Sequence, residues 1–311
     1  MLSSPNDVLE KGLQCVGLSV ALQRGLSHAT KVEFFGCHFG SSPLVYADIW
    51  HSLQATDIPS ARLSEKDNSM KGFKMFMMAV FFLWIYPRNE ALLASRFGVC
   101  RRYCRGEPLW RWVKKIQGLK RKKIVWDPNA AATAAEATTF VGSVDGTDCK
   151  IWEPKHPTMN MDTTYCSQKM KHAALKYEIV LDVYKARCLW INGPFKGGTH
   201  DVTVFRNGLK EKMLELPGKT LIGDSIFKSG EKHPEEDGMF APPRAIDNKE
   251  LKHFKSRVRC RHETFNARLK YFAILSDCFR STDLEKHQTA FEAICVIVQY
   301  QMDNGAPIFS V

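Results

Sequence analysis

A chain of 311 residues with 44% hydrophobic side chains can bury a large core, and a charged fraction of 25% argues against wholesale disorder. The net charge of +11 favours a polyanionic partner, nucleic acid first and a membrane surface second. Ten cysteines are scattered without a C-x-x-C pair, and the opening MLSSPNDVLEKG has no basic stretch followed by an apolar one, so we expect reduced thiols in an intracellular protein.

Residues 1–30 carry little signal, and the first dozen are expected to be mobile. Residues 31–54 have helical spacing broken by Gly40-Ser41-Ser42-Pro43, with Ser42 and Pro43 placed to start a second helix, as in a helix-turn-helix. The apolar run 75–86, MFMMAVFFLWIY, lies between Lys74 and Pro87-Arg88 and is too short for a membrane span, so a core helix is expected and no membrane. Asn89 caps the next helix, Gly98 ends it, and another follows Gly106-Glu107-Pro108. HFG at 38–40 and RFG at 96–98 suggest two similar helix-turn-helix units, with an ordinary small bundle as the alternative. Cys100 and Cys104 read as packing residues rather than zinc ligands.

Around this second block the cations Arg101, Arg102, Arg105, Arg111, Lys114, Lys115, Lys120, Arg121, Lys122 and Lys123 are opposed in sequence only by Glu107. So lopsided a run calls for an anion nearby. The 120–123 cluster also fits a nuclear import signal.

The Ala-rich stretch 127–139 reads as a linker between a helical region, 1–126, and a second domain, 140–311. Strands are expected ending at Asp145, over 177–184 and over 188–192. One helix, DVTVFRNGLKEKML, should follow, N-capped by Asp201 or Thr199. A short buried strand then ends at Asp224, and helices follow over 248–272 and 285–301. On the first of these, Arg259, Glu263 and Lys270 fall four and seven residues apart and share a face.

Two strand-end aspartates and a helical glutamate suggest a shared site, although Asp148, Asp182 and Asp201 are competing acids. Carboxylates that converge raise one another's pKa, and divalent cations relieve this. Oxygen-only ligands suit Mg²⁺ or Mn²⁺. Two such ions could be held by Asp145, Asp224 and Glu263 for in-line attack on a phosphodiester, with Arg259 and Lys270 neutralising phosphates.

VDGTDCKIWEP (144–154), YCSQKMKHAALKYEI (165–179), INGPFKGGTHDVTVFR (191–206), Gly223-Asp224, FKSRVRCRHETFNARLKYF (254–272) and FEAICVIVQYQMDNGAPIF (291–309) resemble the DDE endonuclease domain of PIF/Harbinger-type transposases. FFLWIYPRNEALLASRFGV and WVKKIQGLKRKKIVWDP are similar to the helical region that precedes it. The resemblance implies an α/β fold, a ribonuclease-H-like mixed sheet flanked by helices and preceded by a helix-turn-helix region. It assigns catalysis and metal binding to Asp145, Asp224 and Glu263. It also implies DNA as substrate, a Myb-like partner protein and a nuclear location; homo-oligomerisation stays open. DNA contacts are expected from Arg101, Arg102, Lys114, Lys115, Lys120, Arg121, Lys122, Lys123, Arg259 and Lys270. The chain departs from the family pattern at Ser225-Ile226-Phe227, Asp148 and Met170. A catalytically silent, transposase-derived DNA-binding or scaffold protein is therefore the alternative.

Overall fold

The structure, a computed structural model, describes residues 4–127, 140–154, 162–224, 236, 238–242 and 244–311. Most of the expected linker, 128–139, and the departure at Ser225, Ile226 and Phe227 lie outside the described residues. The chain divides into two compact units that interleave in sequence: residues 1–123, 269–277 and 285–306 form one, and residues 124–268, 278–284 and 307–311 the other.

The first unit is helical: α1 (Pro5–Cys15), α2 (Val20–Arg24), α3 (His28–Phe39), α4 (Pro43–Ala55), α5 (Met70–Ile85), α6 (Glu90–Phe97), α7 (Arg102–Arg105), α8 (Glu107–Gly118) and α9 (Lys120–Lys123). From Ser4 onward a capped helix stands where a mobile segment was expected. Ser4 caps α1 by accepting from the Asp7 amide, and Asp7 accepts in return from the Ser4 amide, with Pro5 in the first turn. The same chemistry starts α4, where Ser42 accepts from the Val45 amide, and α6, where Asn89 accepts from the Ala91 amide. The apolar run 75–86 becomes most of α5, which ends with Tyr86 in the left-handed region just before Pro87. Nearly the whole length of α5 is buried, which explains an apolar run without a polar stripe. Trp50 of α4 stacks on Trp112 of α8 at 5.9 Å and meets Phe73 and Phe76 of α5.

After the sheet, α13 (Ala273–Ser276) and most of the long α14 (Leu284–Asp303) return to this helical unit. Glu292 of α14 accepts from Gln117 at 2.9 Å and Lys120 at 2.8 Å, and Asp303 accepts from Lys123 at 2.7 Å. No helix among the described residues is long and apolar enough to cross a membrane.

The second unit is a mixed sheet with helices. Its strands are β1 (Phe140–Lys150), β2 (Cys166–Ser167), β3 (His172–Asp182), β4 (Cys188–Lys196) and β5 (Thr220–Ile222). β3 pairs antiparallel with β1, β2 and β4, whereas β5 runs parallel to β1. The helices are α10 (Asp201–Arg206), α11 (Leu209–Leu214) and α12 (Lys249–Lys270), the last two residues of which belong to the first unit. The single helix expected over 201–214 is two. Asn207-Gly208 breaks it because Gly208 takes φ +137°, a conformation outside the helical region and one glycine tolerates. Val141, Val144, Val180, Leu189, Phe205, Leu209 and Leu221 form one core on this sheet, and Val183, Ile222 and Val258 another.

One buried ion pair in the helical unit sets a stability test. Asp67, almost fully buried, accepts from Arg111 at 2.6 Å and lies 3.5 Å from the buried Lys115 ammonium. Asp67→Ala leaves that ammonium with only the Arg62 carbonyl, so it should destabilise the protein by about 3 kcal/mol. Glu107→Ala breaks only the exposed pair with Lys114 and should cost less than about 0.5 kcal/mol. Denaturant unfolding of both variants checks this.

Candidate active site

Asp145, expected at a strand end, lies inside β1, which runs on to Lys150. The strand continues because β1 stays paired with β3 from Gly142↔Asp182 to Lys150↔Ala174, which holds Asp145-Gly146 extended opposite Ile179 and Glu178. Side chains two apart share a side of the sheet, so Ser143 and Asp145 point together. Both meet α12: Ser143 Oγ and His262 Nδ1 are 2.9 Å apart, and Asn266 Nδ2 donates to Asp145 Oδ2 at 3.0 Å. The other oxygen, Oδ1, accepts from the Gly146 amide at 2.8 Å.

Asp224 follows β5 by two residues, as a strand-end acid should, and its Oδ2 lies 3.6 Å from Arg259 Nη2. Glu263 sits on α12, exposed and one turn beyond Arg259. A cavity of about 40 Å³ is lined by Asp145, Asp224 and Glu263, with Ser143, Arg259 and His262 among its other walls. The three acids, from a strand, a strand end and a helix, thus reach one small space.

Burial pushes the Asp145 carboxyl up to about 6; the Gly146 amide and Lys169 pull it down, and Asp201 and Asp224 add to the rise. His262 is driven down to about 3 by burial and is neutral where the protein folds. The donors fit a small hard cation in kind: they are all oxygens, and their mutual repulsion asks for positive charge. As they stand, no group of three or more His, Cys, Asp or Glu among the described residues is close enough to hold a metal ion. Of the two cysteines expected to pack, Cys104 is buried and Cys100 is exposed.

On the opposite side of β1, Gly146 faces α10. Here Asp201 is an ion-pair partner, not the helix cap expected; His200 takes the cap position without a side-chain hydrogen bond. Lys176 Nζ donates to Asp201 Oδ1 at 2.8 Å and to the Thr199 carbonyl at 2.7 Å. A Cβ at Gly146 would stand 3.0 Å from Asp201 Oδ1, so glycine permits this approach. A second cavity of about 270 Å³, lined by Lys169, Lys176, His200 and Asp201 among others, also reaches Asp145 and Asp224. Close by, the Glu178 carboxyl is raised to about 8 by burial, although Trp190 Nε1 donates to it at 3.2 Å.

The basic residues fare unequally. Lys115, expected at a DNA surface, is a core residue: its ammonium donates to the Arg62 carbonyl at 2.6 Å and pairs with Asp67. Acids distant in sequence answer others of the run, Asp57 at Lys122, Glu292 at Lys120 and Asp303 at Lys123, so Glu107 is not their only opponent. Arg101, Arg102, Lys114 and Arg121 are exposed. Lys270 donates to the Leu275 carbonyl at 3.2 Å within the helical unit.

Sequence reading missed Asn266, Lys176 and His262. Only Asn266 carried a usable signal, for it lies three residues after Glu263 and shares its helix face. A family model described as DDE superfamily endonuclease matches residues 144–299, half of the chain, and the match contains Asp145, Asp224 and Glu263. No curated protein and no solved structure matches the chain.

The raised Asp145 carboxyl has a measurable consequence. It binds its proton more tightly folded than unfolded, so its contribution to stability is full below about pH 4 and is lost as pH rises through about 6. Asp145→Asn should therefore stabilise the metal-free protein by about 2 kcal/mol at pH 7.5 and by little near pH 4. Denaturant unfolding at the two pH values checks this.

Proposed function

The chain belongs to the DDE superfamily endonuclease family, and from that membership we propose that it is a metal-dependent DNA endonuclease of PIF/Harbinger transposase type. The observation that carries this reading is that Asp145, Asp224 and Glu263 line one small cavity from three separate elements. On this reading the sheet is of ribonuclease-H-like kind, and Asp145, Asp224 and Glu263 would hold two Mg²⁺ or Mn²⁺ ions. Such cations, when bound, supply positive charge against the phosphoryl oxygens and lower the pKa of a water. Asp145 enters this role with its carboxylate already held by Asn266 and the Gly146 amide. Arg259 can exchange its contact with Asp224 for a substrate phosphate as the acids are neutralised. Attack of water on the phosphorus would break its bond to O3′, leaving a 5′-phosphate and a 3′-hydroxyl; that hydroxyl could then attack a target phosphodiester and release the target's own 3′-hydroxyl.

The helix pair α3–α4, joined through Gly40 and capped by Ser42, supports the helix-turn-helix reading for recognition of element ends. Exposed Arg101, Arg102, Lys114 and Arg121 serve as phosphate contacts, joined by Lys120, Lys122 and Lys123 when DNA competes with their acidic partners. Lys270, at the end of α12, remains a candidate for the same role. A nuclear location and a Myb-like partner protein complete this reading. One observation favours the silent DNA-binding alternative: Arg259 supplies Asp224 with a countercharge from within the chain.

Purified protein should nick supercoiled DNA in Mg²⁺ or Mn²⁺, and Asp145→Ala, Asp224→Asn and Glu263→Gln should each abolish nicking. Folded parent protein that binds DNA without cutting it would move the assignment to the silent derivative. Binding itself gives a second test. Joint replacement of Arg101, Arg102 and Arg121 by Glu should weaken DNA binding and reduce its salt dependence by about one unit of slope per lost phosphate contact. Fluorescence anisotropy over a salt series measures both.

A further inference from the structure

Asn266 is placed where it can govern Asp145. It lies three residues beyond Glu263 on α12, so one helix face carries both a carboxylate of the small cavity and the amide that reaches across to β1. Its Nδ2 donates to Asp145 Oδ2 at 3.0 Å, while its own Oδ1 is buried without a hydrogen-bond partner among the described residues. A buried amide oxygen without a partner is unfavourable for folding. What the amide alone supplies is a donor to Asp145. Its orientation is fixed by that partner, because the reversed amide would set Oδ1 against the carboxylate oxygen.

Asp145 consequently has both oxygens fixed, Oδ1 by the Gly146 amide and Oδ2 by Asn266. An ionised carboxylate has about four lone-pair directions, so two accepted bonds leave the others for a further partner. The first is a bond to the adjacent backbone and sets no direction toward α12. The second ties the strand carboxylate to the helix that bears Glu263. We propose that Asn266 is a positioning residue that holds the Asp145 carboxylate in a metal-ready orientation, an inference that rests on the nuclease reading for what Asp145 then binds.

Asn266→Leu removes the donor while keeping four side-chain heavy atoms branched at Cγ. It should lower Mn²⁺ affinity about tenfold, read from the paramagnetic resonance of free Mn²⁺, in a protein that still unfolds cooperatively. In an Asp145→Ala background the same substitution should lower Mn²⁺ affinity no further. Crystals of metal-free Asn266→Leu should show the Asp145 carboxylate turned from its parental orientation. Asn266→Ala serves the same comparisons if the leucine variant does not fold. Unchanged Mn²⁺ affinity with Asp145 unmoved, or an equal fall in the Asp145→Ala background, would overturn the proposal. If the parent binds no Mn²⁺, the nuclease reading fails by itself. The positioning role is then decided by the Asp145 conformation in the crystals, and an unmoved carboxylate sinks it.

Discussion

The pairing of β1 with β3 is the constraint on which the site depends. Nine consecutive residue pairs fix its register, from Gly142↔Asp182 to Lys150↔Ala174. Since strand side chains alternate, that register sends Ser143 and Asp145 toward α12 and leaves Gly146 facing α10. A slip of one residue would exchange the two sides and carry Asp145 away from both Asn266 and Glu263. β5 runs parallel along the free edge of β1, and Asp224 leaves its end within reach of the same cavity. Alignment of β1 thus places one acid directly and a second through its neighbour.

Electrostatics in the sheet unit are graded from one side of β1 to the other. Toward α12, Asp145 is desolvated and shares a cavity with Asp224 and Glu263, and Arg259 lies 3.6 Å from Asp224. Toward α10, Asp201 is answered by Lys176 within hydrogen-bond distance. The acids on the α12 side are thus answered at longer range than Asp201, by Arg259 at 3.6 Å from Asp224 and by the charge of Lys169 on Asp145. The basic run of the helical unit follows a different rule. Burial selects Lys115 for the core, where Asp67 and a backbone carbonyl replace its water, while Arg101, Arg102 and Arg121 keep theirs.

Much of the helical unit was readable because its signals are local. Asn89, Gly98 and Pro108 act on amides and carbonyls within one turn, so their positions in the chain are enough to mark helix ends. Ser4 and Asp7 obey the same logic, and their reciprocal cap was legible but passed over. Where β1 ends was not legible, for the opposite reason: the strand runs past Asp145-Gly146 to Lys150. A turn dipeptide turns only if no neighbouring strand holds it extended, and β3 lies more than twenty residues away in sequence.

The chain alone determined that strands would carry Asp145 and lead to Asp224, that a helix would carry Glu263, and that the three residue types suit a hard divalent cation. These follow from periodicity, capping and donor chemistry, which are properties of short segments. Tertiary structure decided which other side chains stand beside them: Asn266 on Asp145, His262 on Ser143, Lys176 on Asp201, Asp67 on Lys115. Each of those partnerships joins segments 25 or more residues apart. Hydrogen bonds and ion pairs act over a few ångströms of space, and only the packed sheet and helices set that distance.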